Sequence, residues 1–348
     1  MSPYILFTLM FGLGLGTTLT FVSSHWLLAW MGIEMNTLAF IPLMARHHHP
    51  RAVEATTKYF LAQAAAAAVL LFAALTNAWT TGQWDINQDL SPVPAAMLTC
   101  ALALKVGLAP FHVWLPEVLQ GLDLATGLIL STWQKLAPFA LLFQIHPLHP
   151  SLITLLGLTS ALMGGWGGLN QTQLRKILAY SSIAHLGWMV VIMQFSPSLA
   201  KLALGLYIIM TAATFLVLKM SDSKNINALA SSWSKAPTMT ALTPLILMSL
   251  GGLPPLTGFM PKWLILHELT KQDLGLLATT LAIGALLSLY FYLRLSYAMS
   301  LTISPNNISG ITPWRFTATP MKLPLAILTS VSLALLPLAP ALNSLSPF

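Results

Sequence analysis

The chain is a succession of apolar runs, each about as long as a membrane is thick, and this limits it to very few folds. A helix that crosses the hydrocarbon core needs about 20 consecutive, mostly apolar residues. Eleven such runs can be read, at about 3–22, 24–44, 58–80, 95–115, 122–145, 150–170, 175–195, 200–220, 239–267, 276–298 and 324–342. Only 7% of the 348 residues are charged and 56% are hydrophobic, whereas a soluble domain carries about 25% charged residues. The expected class is therefore an all-α polytopic membrane protein of about eleven transmembrane helices. Residues 1–348 read as one integral membrane domain. The two longest connectors, 221–238 and 299–323, are too short for a soluble domain.

What lies outside the runs excludes several functions. The single cysteine, Cys100, lies inside an apolar run, which rules out an intramolecular disulfide framework and any cysteine-based metal or Fe–S site. The start, "MSPYILFTLMFGLGLG", lacks the basic n-region of a signal peptide and the Arg-rich pattern of a transit peptide, so the first run is expected to be a retained helix. The net charge is +7, but the basic residues stand between apolar spans and not on one face, so no nucleic-acid partner is expected.

Those basic residues instead report orientation. With eleven spans the termini lie on opposite sides. The N-terminal side collects Arg46, Arg51, Lys58, Arg175, Lys176, Lys219, Lys224, Lys235, Arg294, Arg315 and Lys322, and the other side only Lys201 and Lys271. By the positive-inside rule the N-terminal side is the cytoplasm, or the matrix in a mitochondrion.

The fourth and ninth runs share a pattern. "GLAPFHVWLP" (107–116) and "GLPPLTGFMP" (252–261) both read Gly-Leu-x-Pro with a second proline six residues after the first. Proline removes a helix hydrogen bond and clashes with the preceding turn. The two runs are five spans apart, so they cross in opposite senses. Two inverted five-helix repeats are expected, at about 1–146 and 150–300, each with one discontinuous helix, followed by a C-terminal helix at about 324–342. Gly/Pro interruptions at matching positions of two halves mark the pathway in many transporters.

Four ionisable residues lie deep in apolar runs: Glu34, Lys105, Lys135 and Lys262. Each costs about 2.5–3.5 kcal/mol at a helix centre, so all four should face the protein interior, pair or touch water. Glu34 and Lys105 lie at similar depth and are candidates for an ion pair, either a structural staple or a switch. A carboxylate beside a desolvated lysine favours the charged lysine, and withdrawing it lets the lysine release its proton. Lys135 stands three residues before Pro138. Lys262 follows the second interruption, where it either snorkels to the interface or stands inside a broken helix. His112, in the first interruption, and His185 are candidate relays, because imidazole titrates near neutral pH. A hydrogen-bonded structural role is the alternative for each. Glu117 and Asp123 border one end of the fourth run, as a solvated end or a channel mouth.

Other features carry less. "RHHHPR" (46–51) is a basic loop with no carboxylate or cysteine to complete a metal shell, so no metal is expected. Gly12 and Gly16, like Gly164 and Gly168, have the small-xxx-small spacing of close helix packing. Trp26, Trp30, Trp79 and Trp84 fit an interfacial belt. No nucleophile–base pair is visible.

"LALKVGLAPFHVWLPEVLQG", "LSTWQKLAP", "LNQTQLRKILAYSSIAHLGWM" and "SLGGLPPLTGFMPKW" together resemble the NADH dehydrogenase subunit 2 family of mitochondrial complex I, within the wider antiporter-like proton-translocating membrane proteins. The resemblance covers essentially the whole chain. It implies two inverted five-helix bundles, each with a discontinuous helix. It implies a Glu–Lys pair at Glu34 and Lys105, a central lysine at Lys135, a terminal lysine at Lys262, and His185 in a central polar axis. It further implies a proton-translocating subunit of NADH:ubiquinone reductase that holds no cofactor itself. NADH, FMN, Fe–S clusters and ubiquinone would belong to partner subunits, and no small-molecule substrate other than protons is implied. The implied partners are other membrane-arm and accessory subunits and lipids. The implied location is the mitochondrial inner membrane, N-terminus in the matrix and C-terminus in the intermembrane space.

The wider family usually has fourteen helices, and this chain has room for about eleven. The three absent helices would lie outside both bundles, which favours a complex-bound subunit. A free-standing cation/proton antiporter should offer a carboxylate cation site, yet three of the four buried charges are lysines. A structural membrane scaffold has no need of three buried lysines.

Overall fold

A computed structural model describes residues 2–45, 49–88, 90–145, 149–234, 237–301 and 322–341. In chain order its helices are α1 (Pro3–Val22), α2 (Trp26–Met44), α3 (Pro50–Thr81), α4 (Pro92–Val106), α5 (Trp114–Gly121), α6 (Leu124–Ser131), α7 (Trp133–Gln144), α8 (Pro150–Gly168), α9 (Leu174–Met193), α10 (Pro197–Ser221), α11 (Ile226–Ala230), α12 (Pro237–Gly251), α13 (Phe259–Lys271), α14 (Gly275–Ser300) and α15 (Lys322–Ala334). Among the described residues, α1, α2, α3, α9, α10 and α14 are long and apolar enough to cross a membrane. The fold is all-α, with no strand among the described residues beyond two isolated bridges. Arg46, Lys235 and Arg315, the Lys322 side chain, and most of the 46–51 histidine loop lie outside the described residues.

Six helices, α1, α3, α4, α8, α10 and α12, begin on a proline. The first amides of a helix have no intrahelical acceptor, so a residue without N–H loses nothing there. Side chains complete the starts: Ser2 Oγ accepts from Ile5 N in α1, and His49 Nδ1 from Arg51 N in α3. Serine and threonine inside the helices turn back onto carbonyls three or four residues earlier, as Thr20, Ser160 and Ser182 do at 2.7 Å. Their donors are thereby hidden from apolar surroundings.

Three local departures from the sequence reading have plain causes. The 122–145 run is two helices, parted at Thr132 by φ −113° and ψ −68°. Pro138 lies inside α7 and cannot bond the Gln134 carbonyl in that helix's first turn, so the segment restarts ahead of it. The C-terminal run stops at Ala334 and continues as a 3-10 turn, Leu336–Leu338, where Pro337 cannot donate to the ladder. The 221–238 connector holds α11 and a second 3-10 turn, Ser231–Ser234, with Trp233 Nε1 donating to Met299 O at 2.6 Å.

The chain divides into two compact units, residues 1–160 and 161–348. In the first, α1 and α2 meet glycine to glycine. A β-carbon on Gly16 would stand 2.8 Å from Gly32 O, and one on Gly32 would stand 2.9 Å from Gly16 O. Gly12 has only an ordinary contact with Ala39. In the second unit a β-carbon on Gly164 would meet Ala184 N of α9 at 2.5 Å, and one on Gly168 the Phe291 ring of α14 at 2.7 Å. α9 is enclosed on nearly all sides, whereas α1 shows Tyr4, Phe7 and Phe11 outward. An outer surface this apolar suits lipid or protein neighbours, not water. The tryptophans do not behave as one belt. Trp79 is exposed and Trp84 stacks on His25, but Trp26 is fully buried and Trp30 donates to Ala67 O.

The α1–α2 contact sets the first prediction. Gly32→Val drives branched carbons into Thr20 and the Gly16 backbone, and overpacking of this kind costs about 1–3 kcal/mol. A lower thermal unfolding midpoint in mild detergent is expected, with Gly14→Ala, which meets open space, unchanged.

Candidate functional site

The site begins where α4 stops. Gly107 takes φ +86°, a left-handed conformation that costs a residue bearing a β-carbon about 1–2 kcal/mol. The N–H groups of Gly107 and Leu108 both fall back on the Ala103 carbonyl, at 2.9 Å each. The chain then runs without regular structure, the Ala109–Pro110 peptide cis, until α5 begins at Trp114. A helix end leaves carbonyls without amides, and such groups are expensive in an apolar setting. Side chains from two elements supply donors. Trp114 Nε1 reaches Leu104 O at 3.1 Å and Gln63 Nε2 of α3 reaches Lys105 O at 3.3 Å; Thr159 Oγ1 of α8 stands 3.2 Å from Ala109 O, but its nearest acceptor is Leu155 O at 2.8 Å. His112 is buried in the same segment.

Lys105 occupies the last turn of α4, where a cation also complements the helix dipole. Its side chain is 1% exposed and its Nζ lies 3.2 Å from Glu34 Oε1 on α2, whose side chain is 23% exposed. Thr37 Oγ1 stands 3.3 Å from Glu34 Oε2 and 2.8 Å from Glu34 O. It has one proton for two acceptors. The carboxylate thus has one oxygen on an ammonium and the other beside a hydroxyl.

Lys105 also lines a small cavity of about 10 Å³, room for a single water. Lys135 lines the same cavity, together with Asn36, Thr37, Gln63 and Gln134. The Thr132 interruption places Lys135 in the first turn of α7, where it is 3% exposed. Glu34, Lys105 and Lys135 are therefore neighbours in one unit, as an ion pair and a shared cavity.

The second interruption lies in the other unit and is built alike. α12 ends at Gly251, Gly252 takes φ +79°, and Leu253 N returns to Met248 O at 3.3 Å. The Pro254–Pro255 peptide is cis and α13 begins at Phe259. Here the freed carbonyl is served by a charge: Lys262 Nζ donates to Gly251 O at 2.7 Å. Ser249 Oγ donates to Ser332 O of α15 at 2.7 Å, and Thr257 Oγ1 donates to the same carbonyl. His185 on α9 is half-buried, its ring 5.8 Å from that of Tyr207. Toward the surface of the first unit, Lys58 bridges Glu54 and Glu117 at 2.8 Å each. All three are well exposed, so this bridge adds little stability.

The charges are legible in the sequence, but the amides that stand near them are not as easily seen. Gln63 is a lone amide in an alanine run, and Asn36 stands two residues after Glu34. An uncharged amide deep in an apolar run carries the same kind of signal as a charge. Among the described residues no group of His, Cys, Asp and Glu is arranged to hold a metal ion.

Comparison with known proteins gives a consistent picture. The family described as "NADH:quinone oxidoreductase/Mrp antiporter, TM" matches residues 23–288, and "NADH dehydrogenase subunit 2 C-terminus" matches residues 289–343. NADH-ubiquinone oxidoreductase chain 2 of Gadus morhua is 70% identical over 341 residues, 98% of each chain. That of Carassius auratus is 67% identical over 347 residues, 99% of this chain and 100% of the relative. Among solved structures, a chain of respiratory complex I from Thermus thermophilus superposes with TM-score 0.86 at 28% identity, covering 98% of this chain and 81% of that one. A chain of the Mrp complex of a Dietzia species shares the fold at TM-score 0.83 and 18% identity, over 95% of this chain and 74% of that one.

The buried pair sets the second prediction. Glu34→Gln leaves the Lys105 ammonium without its countercharge and is expected to cost about 3 kcal/mol, the low end for a buried pair because the carboxylate is partly exposed. Adding Lys105→Met should recover part of that loss, with a coupling of about 1–3 kcal/mol in a double-mutant cycle of unfolding in detergent. Additive losses would mean the two groups do not interact.

Proposed function

Because the chain belongs to the NADH-ubiquinone oxidoreductase chain 2 family, we propose that it is a membrane subunit of respiratory complex I that moves protons through its buried charges. The observation that carries this reading is the Glu34–Lys105 pair at 3.2 Å, set on a helix interruption and opening on a cavity shared with Lys135. A packing role does not account for two buried lysines around one water-sized space.

The steps follow from charge. Redox energy released in other subunits changes the Glu34–Lys105 separation. With the carboxylate withdrawn, the ammonium loses the group that stabilises it, and its proton passes to Lys135. From there it passes to Lys262, with His112, His185 and water as bridging groups. NADH, FMN, Fe–S clusters and ubiquinone belong to partner subunits, and the neighbours in the membrane are other membrane-arm and accessory subunits and lipids.

The architecture in this reading has eleven spans. The six long apolar helices are joined by α8, α15 and three interrupted segments, α4 with α5, α6 with α7, and α12 with α13. The matching left-handed glycines, Gly107 and Gly252, support two inverted five-helix repeats at about 1–146 and 150–300. The basic side is the matrix, so the N-terminus lies there and the C-terminus lies in the intermembrane space.

Lys105→Met in the intact complex tests the function. Proton pumping coupled to NADH oxidation in proteoliposomes is expected to fall to the background of the uncoupled complex, while assembly persists. Pumping at the unaltered rate would sink the reading. A scaffold would lose assembly instead, and an antiporter would exchange Na⁺ or K⁺ for protons without NADH.

A further inference from the structure

We propose that Asn36 is a positioning residue for proton transfer between Lys105 and Lys135: its amide holds, in the cavity they share, the single water that carries the proton across. The inference rests on the proton-translocating reading of this site and adds a residue to it.

Asn36 is 2% exposed, and neither its Oδ1 nor its Nδ2 has a hydrogen-bond partner among the described residues. Buried amides nearly always find partners, so two idle atoms on one side chain call for an occupant. Its Oδ1 lies against α1 at Gly16, where an added β-carbon would stand 2.6 Å away, and the same residue lines the cavity on its other side. Gln134, the residue before Lys135, brings a second idle amide nitrogen, Nε2, to the same cavity. The other polar neighbours are engaged, Thr37 with Glu34 and Gln63 with the Lys105 carbonyl.

The space matches the groups. About 10 Å³ admits one water, and a buried water needs two to four polar partners. The amides of Asn36 and Gln134 and the two lysines supply that number. A carboxamide suits the task because it donates and accepts without titrating. It holds the water equally well before and after the proton has passed.

The step balances. An N–H bond of the Lys105 ammonium breaks and that proton bonds to the water oxygen. One of the water's original O–H bonds breaks, and its proton bonds to the neutral amine of Lys135. The water is regenerated and one positive charge has moved from Lys105 to Lys135. No oxidant or other reactant is consumed.

The test uses the intact complex in proteoliposomes. Asn36→Leu keeps the branched shape and removes the hydrogen bonds, while Asn36→Ser keeps a donor and an acceptor. Asn36→Leu should assemble, yet pump on the order of tenfold more slowly, in keeping with lost alignment of a transfer step. Its solvent isotope effect in D2O should rise, which a purely packing role would not cause, and Asn36→Ser should restore both. Pumping and isotope effect equal to those of the unaltered complex would overturn the proposal. Lys105→Met measured alongside separates the levels: if it stops pumping while Asn36→Leu does not, only the role of Asn36 falls. If Asn36→Leu does not assemble, a map of the unaltered complex that resolves waters decides. A water within about 3.2 Å of the Asn36 amide and of a lysine Nζ supports the role, and a cavity without one overturns it.

Discussion

A peptide group inside a membrane has no water to fall back on, and the rest of this structure is organised around that constraint. Continuous helices meet it by themselves. The interruptions at Gly107 and Gly252 do not, and each exposes carbonyls that something else must serve. At the first interruption the donors are neutral: Trp114 and Gln63. At the second, one donor is the Lys262 ammonium. The polar side chains around each break are therefore fixed by the backbone before any question of chemistry arises. Lys105 is then free of backbone duty in its side chain, and its Nζ turns to Glu34.

This ordering explains why charge can be kept at such depth. A lone lysine in lipid would be costly, but Lys105 has the Glu34 carboxylate and Lys262 has the carbonyl that the second break frees. The small interruption at Thr132 sets Lys135 in the first turn of α7. Close packing at Gly16 and Gly32 brings α2 against α1, with the Asn36 amide oxygen beside Gly16.

How much of this could be read from the residues depends on the kind of signal. Proline and glycine at fixed spacing mark both interruptions, because their backbone chemistry is local. Charges in apolar runs stand out in composition, so Glu34, Lys105, Lys135 and Lys262 are all visible. The Thr132 break is not, because Pro138 draws attention to itself and the chain yields six residues earlier. Nor are Gln63 and Trp114, whose roles depend on which helices lie next to one another. Gly16 is legible as a packing residue, but its partner Gly32 is not, since spacing within one helix says nothing about its neighbour. Trp26 shows the same limit, for depth along a helix does not reveal which face is covered.

The Lys262–Gly251 contact has a consequence for the two interruptions as mechanical parts. A lysine that gives up its proton still carries two N–H groups, so it can go on capping the carbonyl as a neutral amine. The fold at the second break would thereby hold whether that lysine is charged or neutral. At the first break the carbonyls are held by groups that never titrate, but the ion pair is not, and its geometry must answer to every change in charge. A change of charge would therefore register as movement at the first interruption and leave the second in place.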